Sequence, residues 1–510
     1  MSSTANRVIK NTGYLYAKMG ITMFVSLYTT RLILNSLGAS DFGIFNIVGG
    51  AIAMLGFLNA AMASATQRFM SYSEGEGDKE KQKSIFNVSL ILHLGISLVV
   101  GIALFIAGYF FFNGILNIPA DRIFAAKVVY GSLIVSTIFT VMTAPYDATM
   151  NAHENMRYYA IVGIFESFLK LAVAFICVYT TFDKLIVYGS LMACIPLITL
   201  TIMRIYCHKH YAECIIAPRI YWKKELMKEM GTFAGWNFML TISASLSFYG
   251  NGIVLNHFFG TIINAAQGVA NQLNGQLMAF SNNMLKAVNP IIVKNEGGGK
   301  REQMLKATCL SCKYSFFLLA FFSIPFVLEA PYILKIWLHN IPEWTILFFR
   351  LGIVKSLLDQ LLIVLQNAIN AEGRIKNYSI LRCISYFLPI PLLIVAFSYR
   401  ADPYWMYIIW LFCWDILGGG IVLYYCKRNC GLSMRYYVCQ VVKPCLLLFL
   451  CTSFISAIPI YVISMESSFT RLMLCCILSV SSFFLSFYLF GIGKNEKMVL
   501  WHILKKVLNK

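Results

Sequence analysis

The amino-acid sequence predicts an all-α polytopic membrane protein with about fourteen transmembrane helices, and three observations support that prediction. Of the 510 residues, 58% are apolar and 13% are charged, whereas soluble domains average about 45–50% apolar and about 25% charged residues. The apolar residues fall in repeated stretches of about twenty, the length of helix that crosses a ~30 Å hydrocarbon core. Lysine and arginine concentrate in every second connection between these stretches.

The apolar stretches define the predicted spans, and the mean hydropathy of +0.68 agrees with a chain made largely of them. The spans lie near residues 11–36, 42–65, 84–112, 123–147, 158–180, 183–205, 229–250, 252–285, 307–330, 345–370, 377–398, 404–426, 440–463 and 468–492. The first stretch is too long for the apolar core of a signal peptide, so we expect it to remain as a span. The outer connections have about fifteen residues or fewer, which leaves no room there for a folded catalytic domain.

The net charge of +19 is explained by where the cations lie. With the N-terminus in the cytoplasm, about thirty Lys and Arg residues, Arg382 among them, fall in cytoplasmic connections and tails, and about six fall outside. Cytoplasmic loops collect Lys and Arg in this way, so the asymmetry predicts a multi-pass protein with both termini in the cytoplasm. It also accounts for the charge without the nucleic-acid partner that a basic soluble protein would suggest.

Two segment pairs indicate an internal duplication. Residues 33–38 resemble 254–260, and residues 74–80 resemble 296–302, in both cases at an offset of about 221–222 residues. Six predicted spans separate the copies, and an even number restores the starting orientation. The two halves should therefore be parallel repeats related by an axis along the membrane normal.

The duplication leads to a predicted organisation in four parts. Residues 1–206 form an N-terminal six-helix bundle, and 207–228 form a basic cytoplasmic linker. Residues 229–426 form a C-terminal six-helix bundle, and 427–510 hold two appended helices and a basic cytoplasmic tail. The appended helices have no counterpart in the first half.

The eighth predicted span carries a row of amides. Asn264, Gln267, Asn271 and Asn274 recur at spacings of three, four and three, which places them on one helical face. Amides that face lipid would be too costly to repeat this often, so the row must face protein or water. Hydrogen bonding between helices is one interpretation. A wet substrate cavity is the other, and it explains the length of the row better.

Four residues in other spans join these amides as candidate cavity residues. Asn46 in the second span aligns with Gln267 at the repeat offset. Near the start of the seventh span, the aromatic ring of Trp236 stands next to the amide of Asn237 in the sequence. Arg31 lies near the outer end of the first span. It either binds an anion in the cavity or extends its charged end to the interface.

Two ion pairs are expected inside the membrane. Glu166 and Lys170 in the fifth span, and Lys355 and Asp359 in the tenth, are spaced i, i+4. An unpaired charge at the bilayer centre costs about 2.5–3.5 kcal/mol, so pairing within each helix is one interpretation and an ion-coupling relay is the other. The sequence shows no catalytic constellation and no nucleotide-binding loop, cofactor motif or metal site, so we expect a protein that is not an enzyme.

Residues 31–46, RLILNSLGASDFGIFN, resemble the junction between the first two helices of Wzx-type polysaccharide flippases. Gly235-Trp236-Asn237 and Asn289-Pro290 support this resemblance. These flippases belong to the MOP exporter superfamily, which also includes MATE drug exporters and the lipid II flippase MurJ. A count of about fourteen spans favours the polysaccharide and MurJ branches over the drug exporters.

The resemblance implies a V-shaped pair of bundles in a bacterial cytoplasmic (inner) membrane. Its cargo would be an undecaprenyl-pyrophosphate-linked oligosaccharide, such as an O-antigen unit of lipopolysaccharide, moved to the outer leaflet by alternating access. The implied partners are this substrate, membrane lipids, H⁺ or Na⁺ as a coupling ion, and a polysaccharide polymerase. The eighth span lacks a central cation before Lys286, which departs from the cationic lining of MurJ-like proteins and favours a largely neutral glycan.

An ion-coupled MATE-type multidrug exporter is the alternative. That function calls for a carboxylate in the central cavity, because its substrates are small cations. The spans that the resemblance places around the cavity are the first, second, seventh and eighth. They offer no carboxylate in mid-membrane, since Asp41 lies at a loop.

Overall fold

The computed structural model describes residues 2–53, 56–115, 118–338 and 341–493. In these ranges the chain forms helices and connecting loops without a β-strand, which confirms the predicted all-α class. Ten of the described helices are long and apolar enough to cross a membrane. One of them, Lys224–Gly297, has 74 residues and is long enough to cross more than once. The predicted spans fall largely on helical backbone wherever it is described.

The chain divides into two compact units. The N-terminal unit comprises residues 7–241 and 293–299, and the C-terminal unit comprises residues 2–6, 242–292 and the described residues from 300 onward. The proposed boundaries between bundles, linker and appended helices stay predictions.

The helices up to the middle of the chain are long. Their bounds are α1 Ser2–Ala53, α2 Gly56–Glu76, α3 Lys79–Phe110, α4 Ile123–Ala152, α5 Met156–Tyr179, α6 Lys184–His210, α7 Pro218–Tyr221 and α8 Lys224–Gly297. Several begin at a side-chain cap: Asp78 accepts from the Lys81 N–H at 2.9 Å, and Asp183 accepts from the Leu185 N–H at 3.0 Å. These caps satisfy backbone donors that the first turn leaves free.

The helices of the second half are more broken. Their bounds are α9 Arg301–Leu328, α10 Ala330–Trp337, α11 Thr345–Glu372, α12 Lys376–Phe387, α13 Pro389–Ser398, α14 Trp405–Trp410, α15 Gly418–Tyr425, α16 Met434–Tyr437, α17 Lys443–Ser456, α18 Ile458–Tyr461 and α19 Phe469–Ser486. Wider π-helical turns join some of them, and residues 411–417 connect α14 to α15 in this way. Prolines at the start of α10, α13, α17 and α18 account for other breaks, because proline lacks the N–H that a continuing helix needs.

The backbone repeats at the same interval as the sequence motifs. Gly38 bends α1 at a φ of 78°, and Gly260 bends α8 at a φ of 78°. Gly77 and Gly299, in the turns after α2 and α8, have φ values of 77° and 69°. The two members of each pair are separated by the same length of chain. Positive φ is accessible to glycine at little cost, so these four positions require glycine and mark equivalent points of two structural repeats.

The core of the N-terminal unit surrounds the second half of α1. Buried side chains of α1, α3, α4 and α6, among them Val48, Val100 and Val129, form one cluster. Ile33 of α1 packs with residues of α5 and α6, including Cys177, in another cluster. In a membrane this close packing, rather than escape from water, holds helices together.

The last two predicted spans pack onto α9 in the C-terminal unit. Phe321 of α9 lies against Phe483 of α19, with ring centroids 5.0 Å apart. Arg471 at the start of α19 forms two hydrogen bonds to the carboxylate of Glu329, at 2.8 and 2.9 Å. Glu329, between α9 and α10, is fully buried. This ion pair fixes α19 to the end of α9.

We expect Arg471→Met to lower the stability of the C-terminal unit, because it leaves the Glu329 carboxylate buried without a cation. Breaking a buried ion pair on one side costs about 3–5 kcal/mol, which a fall in the unfolding temperature of the detergent-purified protein would report. Arg471→Met/Glu329→Met should recover part of this loss. The control is Lys306→Met, which breaks the solvent-exposed pair with Glu302 and should change little. Equal effects of Arg471→Met and Lys306→Met would contradict this account.

Candidate functional site

A cavity of about 420 Å³ lies within the C-terminal unit. Its walls come from α8 on both sides of the bend at Gly260, from α11 and α12, and from the π-helical turn at 411–417. The polar and aromatic residues that line it are Ser245, Phe248, Tyr249, Lys355, Asp359, Gln366, Arg382, Tyr386 and Trp414. A space of this size, with mixed apolar and polar walls, falls in the range of small-molecule sites.

Lys355 and Asp359 lie one turn apart on α11 and both face the cavity. The Lys355 ammonium is 2.5 Å from the Asp359 carboxylate and 5.2 Å from the centre of the Trp414 ring. The carboxylate and the ring face both stabilise the positive charge in a low-dielectric environment. Lys355 is therefore held in the cavity as a cation.

Arg382 of α12 is the second cation of the cavity. Its guanidinium donates to the Trp414 carbonyl oxygen at 2.7 Å and lies 4.7 Å from the centre of the Tyr386 ring. A Cβ on residue 418 would come within 1.5 Å of the guanidinium, so Gly418 leaves the space that it occupies. The Arg382 Nε–H has no hydrogen-bond partner in the described residues. This donor is therefore an unsatisfied buried polar group in the wall of the cavity.

Arg382, predicted to lie in a cytoplasmic connection, lies on helix α12 instead. The side chain is buried on α12, with 3% of its surface exposed. The error arose because a cation within about two turns of a span end looks like a loop residue when charges are counted by position. The nearby Gly418-Gly419-Gly420 run was the available signal, since glycines mark close approach to a large side chain.

Asp415 adds a fourth charged group beside the cavity. It follows Trp414 on the π-helical turn and lies within electrostatic range of Lys355, Asp359 and Arg382. Only 7% of its surface is exposed, and neither carboxylate oxygen has a hydrogen-bond partner in the described part of the chain. A buried carboxyl without hydrogen bonds is costly, and intramembrane carboxyls of this kind are candidates for proton or cation binding.

Two of the four predicted amides of α8 hydrogen-bond to neighbouring helices. Asn274 donates to the Gly352 carbonyl oxygen at 3.2 Å and accepts from the Ser356 hydroxyl at 3.1 Å, both on α11. Gln267 is buried and donates to the Met406 sulfur at 3.7 Å. These two residues act as interhelical hydrogen-bonding groups, and Asn274 fixes the turn of α11 that carries Lys355.

The other two amides, Asn264 and Asn271, are half-exposed, and no hydrogen bond of their side chains is found in the described ranges. Asn264 and Gln267 both approach Gly252 across the bend at Gly260, and a Cβ on residue 252 would lie 3.9 and 3.7 Å from their amide oxygens. None of the four amides is among the described residues that line the 420 Å³ cavity. Their assignment to a substrate cavity stays a prediction.

The remaining predicted residues belong to the N-terminal unit. Asn237 is buried, and its amide nitrogen has no partner among the described residues, while Trp236 beside it is half-buried. Arg31 is exposed on α1, and the side chain of Asn46 lies outside the described residues. Lys170 is 2.7 Å from Glu166 on α5, and both side chains are well exposed on the unit.

Comparisons with known proteins agree with this architecture. The protein family described as MatE matches residues 17–176. An outward-facing multidrug resistance MATE family transporter of the MOP superfamily has a TM-score of 0.71 at 14% identity, over 83% of this chain and 95% of that chain. A MOP superfamily transporter from Pyrococcus furiosus, whose reverse polarity of the binding pocket suggests a different function, has a TM-score of 0.69 at 14% identity, over 84% and 96%.

One curated relative also matches. The uncharacterized membrane protein EpsK of Bacillus subtilis (strain 168) is 23% identical over 123 residues, which is 24% of this chain and 24% of that protein. The alignment thus spans about a quarter of the relative's length. Together the similarities define a polytopic α-helical membrane protein. Its fold is that of MATE transporters, and we describe the chain as MATE-like.

The different roles of Asn274 and Asn271 on α8 can be tested by measuring the unfolding temperature of their alanine variants. Asn274→Ala removes both hydrogen bonds to α11, and interhelical hydrogen bonds in membranes contribute about 0.6–1.7 kcal/mol. We therefore expect a measurable fall in the unfolding temperature. Asn271→Ala, one turn away on the same helix, removes no such bond and should leave it unchanged. If both variants were equally stable, Asn274 would not be the interhelical group described above.

Proposed function

We propose that this MATE-like chain is a flippase that moves an undecaprenyl-pyrophosphate-linked oligosaccharide from the inner to the outer leaflet of a bacterial cytoplasmic membrane. The observation that carries the proposal is the cavity of the C-terminal unit, where Lys355 and Arg382 share one chamber with Tyr249, Tyr386 and Trp414. Cations bind phosphate oxygens through charge-assisted hydrogen bonds. Aromatic faces offer an apolar platform for the flat face of a sugar ring.

The cavity is large enough for the head group of a lipid-linked oligosaccharide but not for the whole lipid. At about 420 Å³, it is large enough for a pyrophosphate and the first sugars, while the polyprenyl chain would remain in the surrounding hydrocarbon. The cations suit this role, because Lys355 and Arg382 both line the cavity. An ammonium also has three donors, of which the contact with Asp359 uses one. The eighth span lacks a central cation, which favours a largely neutral glycan. Such a glycan is compatible with a site whose cations bind the pyrophosphate.

The net charge of the cavity determines how the membrane potential would act on movement of the bound substrate. Lys355 and Arg382 are balanced by Asp359 and, when it is ionised, by Asp415. The two negative charges of a bound pyrophosphate diester therefore leave the loaded site negative in either protonation state of Asp415. Outward movement of negative charge is favoured by an inside-negative potential, by about 2.3 kcal/mol per charge per 100 mV. Protonation of Asp415 would cancel one of these charges. Asp415 would therefore couple the movement of the substrate to the proton gradient.

A MATE-type multidrug exporter is the second candidate, and a specific observation favours it. Asp359 and Asp415 are carboxylates beside aromatic rings, and this combination also binds cationic amphiphiles. The two functions differ in which charges of the cavity hold the substrate. In a flippase the cations do so, and in a drug exporter the carboxylates do.

Reconstitution into liposomes separates the two candidates. The wild-type protein should move a fluorescent undecaprenyl-pyrophosphate oligosaccharide between leaflets. Arg382→Gln and Lys355→Gln/Asp359→Asn should each slow this movement at least about tenfold, because a lost charge-assisted hydrogen bond costs about 1.5–3 kcal/mol. The matched control is Lys170→Gln/Glu166→Gln, which removes an ion pair outside the cavity. Efflux of a cationic dye without movement of the lipid would favour the drug exporter instead.

Asp415→Asn tests the coupling role. The amide has the shape of the carboxyl but cannot titrate, so the dependence of lipid movement on an imposed pH gradient should disappear. Movement driven by a potassium-diffusion potential should persist. The control variant is Asp121→Asn, in the short helical turn before α4 and distant in sequence from the cavity. A pH dependence that survives in Asp415→Asn would assign the coupling proton to another group.

A further inference from the structure

The two copies of the duplicated turn contact each other in the N-terminal unit. Gly75 lies near the end of α2, and Gly297 is the last residue of α8. Their positions in the chain differ by the interval that also separates the bends at Gly38 and Gly260. The end of α8 that carries Gly297 belongs to the N-terminal unit, whereas the preceding residues 242–292 belong to the C-terminal unit.

The contact is reciprocal. A Cβ on residue 75 would lie 2.0 Å from the carbonyl oxygen of Lys294, and a Cβ on residue 297 would lie 2.0 Å from the carbonyl oxygen of Tyr72. Tyr72 and Lys294 are themselves related by the repeat interval, so the same contact occurs twice with the roles of the helices exchanged. Real Cβ atoms essentially never come within 3.0 Å of another heavy atom. Only glycine at both positions allows the two helix ends to meet backbone to backbone, as at close helix crossings in membranes.

Ion pairs surround this contact. The Lys294 ammonium lies 3.6 Å from a carboxylate oxygen of Glu74 and 3.6 Å from one of Glu154. Burial raises the pKa of Glu74, but hydrogen bonds from Lys79 and Gln82 and the nearby charges of His153 and Lys294 outweigh it, so its pKa lies below the ordinary value. Glu74 is therefore ionised at neutral pH and attracts Lys294.

We infer that this reciprocal contact is a conformational latch of the transport cycle. We call it the glycine latch and define it as Gly75 and Tyr72 of α2 with Gly297 and Lys294 of α8. The inference rests on the proposed function, because alternating access requires repeat-related helices to separate at one face of the membrane in one state and to meet there in the other. The charge asymmetry of the sequence predicts that these helix ends lie on the cytoplasmic side. On that orientation the latch would be formed while the cytoplasmic side is closed and released when it opens.

The chemistry of the latch suits a reversible contact. The helix ends meet through close backbone approach at the two glycines, and the Lys294–Glu74 pair beside them is partly exposed, with side-chain exposures of 29% and 16%. Such contacts are individually weak and depend on close approach. A single added methyl group on either helix should prevent that approach and disengage both.

Hydrogen exchange of the full-length protein in lipid nanodiscs tests the latch without any substrate. Gly75→Ala and Gly297→Ala should each raise the exchange of amides at least about tenfold in both 72–77 and 293–299, since either methyl group separates both segments. Gly231→Ala on α8, where no atom lies within 4 Å of the added Cβ, is the matched control and should change neither. Lys294→Gln, which adds no bulk, should raise exchange in both segments by a smaller factor.

The reciprocal response distinguishes a latch from local strain. Exchange that increases only in the segment carrying the substitution, or in neither, would overturn the inference.

The liposome assay separates this result from failure of the proposed function. If the wild type moves no lipid while both segments respond reciprocally, the flippase assignment fails and the latch remains as a contact. If the wild type moves lipid and Gly75→Ala moves it at the same rate, the latch has no part in the cycle. A latch that does take part should slow lipid movement at least about tenfold in both alanine variants.

Discussion

A charge or polar group inside hydrocarbon must find a partner within the protein, and the C-terminal unit is organised around this requirement. Lys355 is held by Asp359 and by the Trp414 ring, and Arg382 is held by the Trp414 carbonyl oxygen. These partners come from α11, α12 and the π-helical turn, so they fix three elements around one cavity. Asp415 departs from the rule, because its oxygens lack hydrogen bonds in the described residues.

The helical class and the duplication were predictable because both depend on patterns that the chain displays directly. Stretches of apolar residues report helix length, and glycines that recur at the repeat interval report the same two backbone bends. The i, i+4 spacing likewise predicted the contact between Lys355 and Asp359, since neighbours on one helix turn need no tertiary information.

The cavity itself was not predictable, because its walls come from helices far apart in sequence. Counting cations by position placed Arg382 in a loop, although it is buried on α12. The spacing of the α8 amides predicted that they share one helical face. It did not predict which helix or cavity that face would contact. Asn274 bonds to α11, whereas Asn271, three residues earlier, makes no such bond in the described ranges. That distinction depends on the partner helix, which periodicity within α8 does not encode.

The fold alone does not define what such a protein binds, because one fold accommodates binding pockets of different polarity. At 14% identity, the similar MATE and MOP structures share the helix arrangement over most of this chain, while the residues that face a cavity can differ. The balance of two cations, two carboxyls and aromatic rings is the feature of this chain that bears on which ligands its cavity can hold.

The bidentate pair between Glu329 and Arg471 has a consequence for biosynthesis. Its two members are 142 residues apart, so α9 and α10 enter the membrane well before α19 is synthesised. Until then the Glu329 carboxyl lacks its counter-ion, and an unpaired charge in an apolar environment is costly. Assembly of the C-terminal unit is thus complete only after α19 arrives, and a chain shortened before α19 should be less stable than the full-length protein.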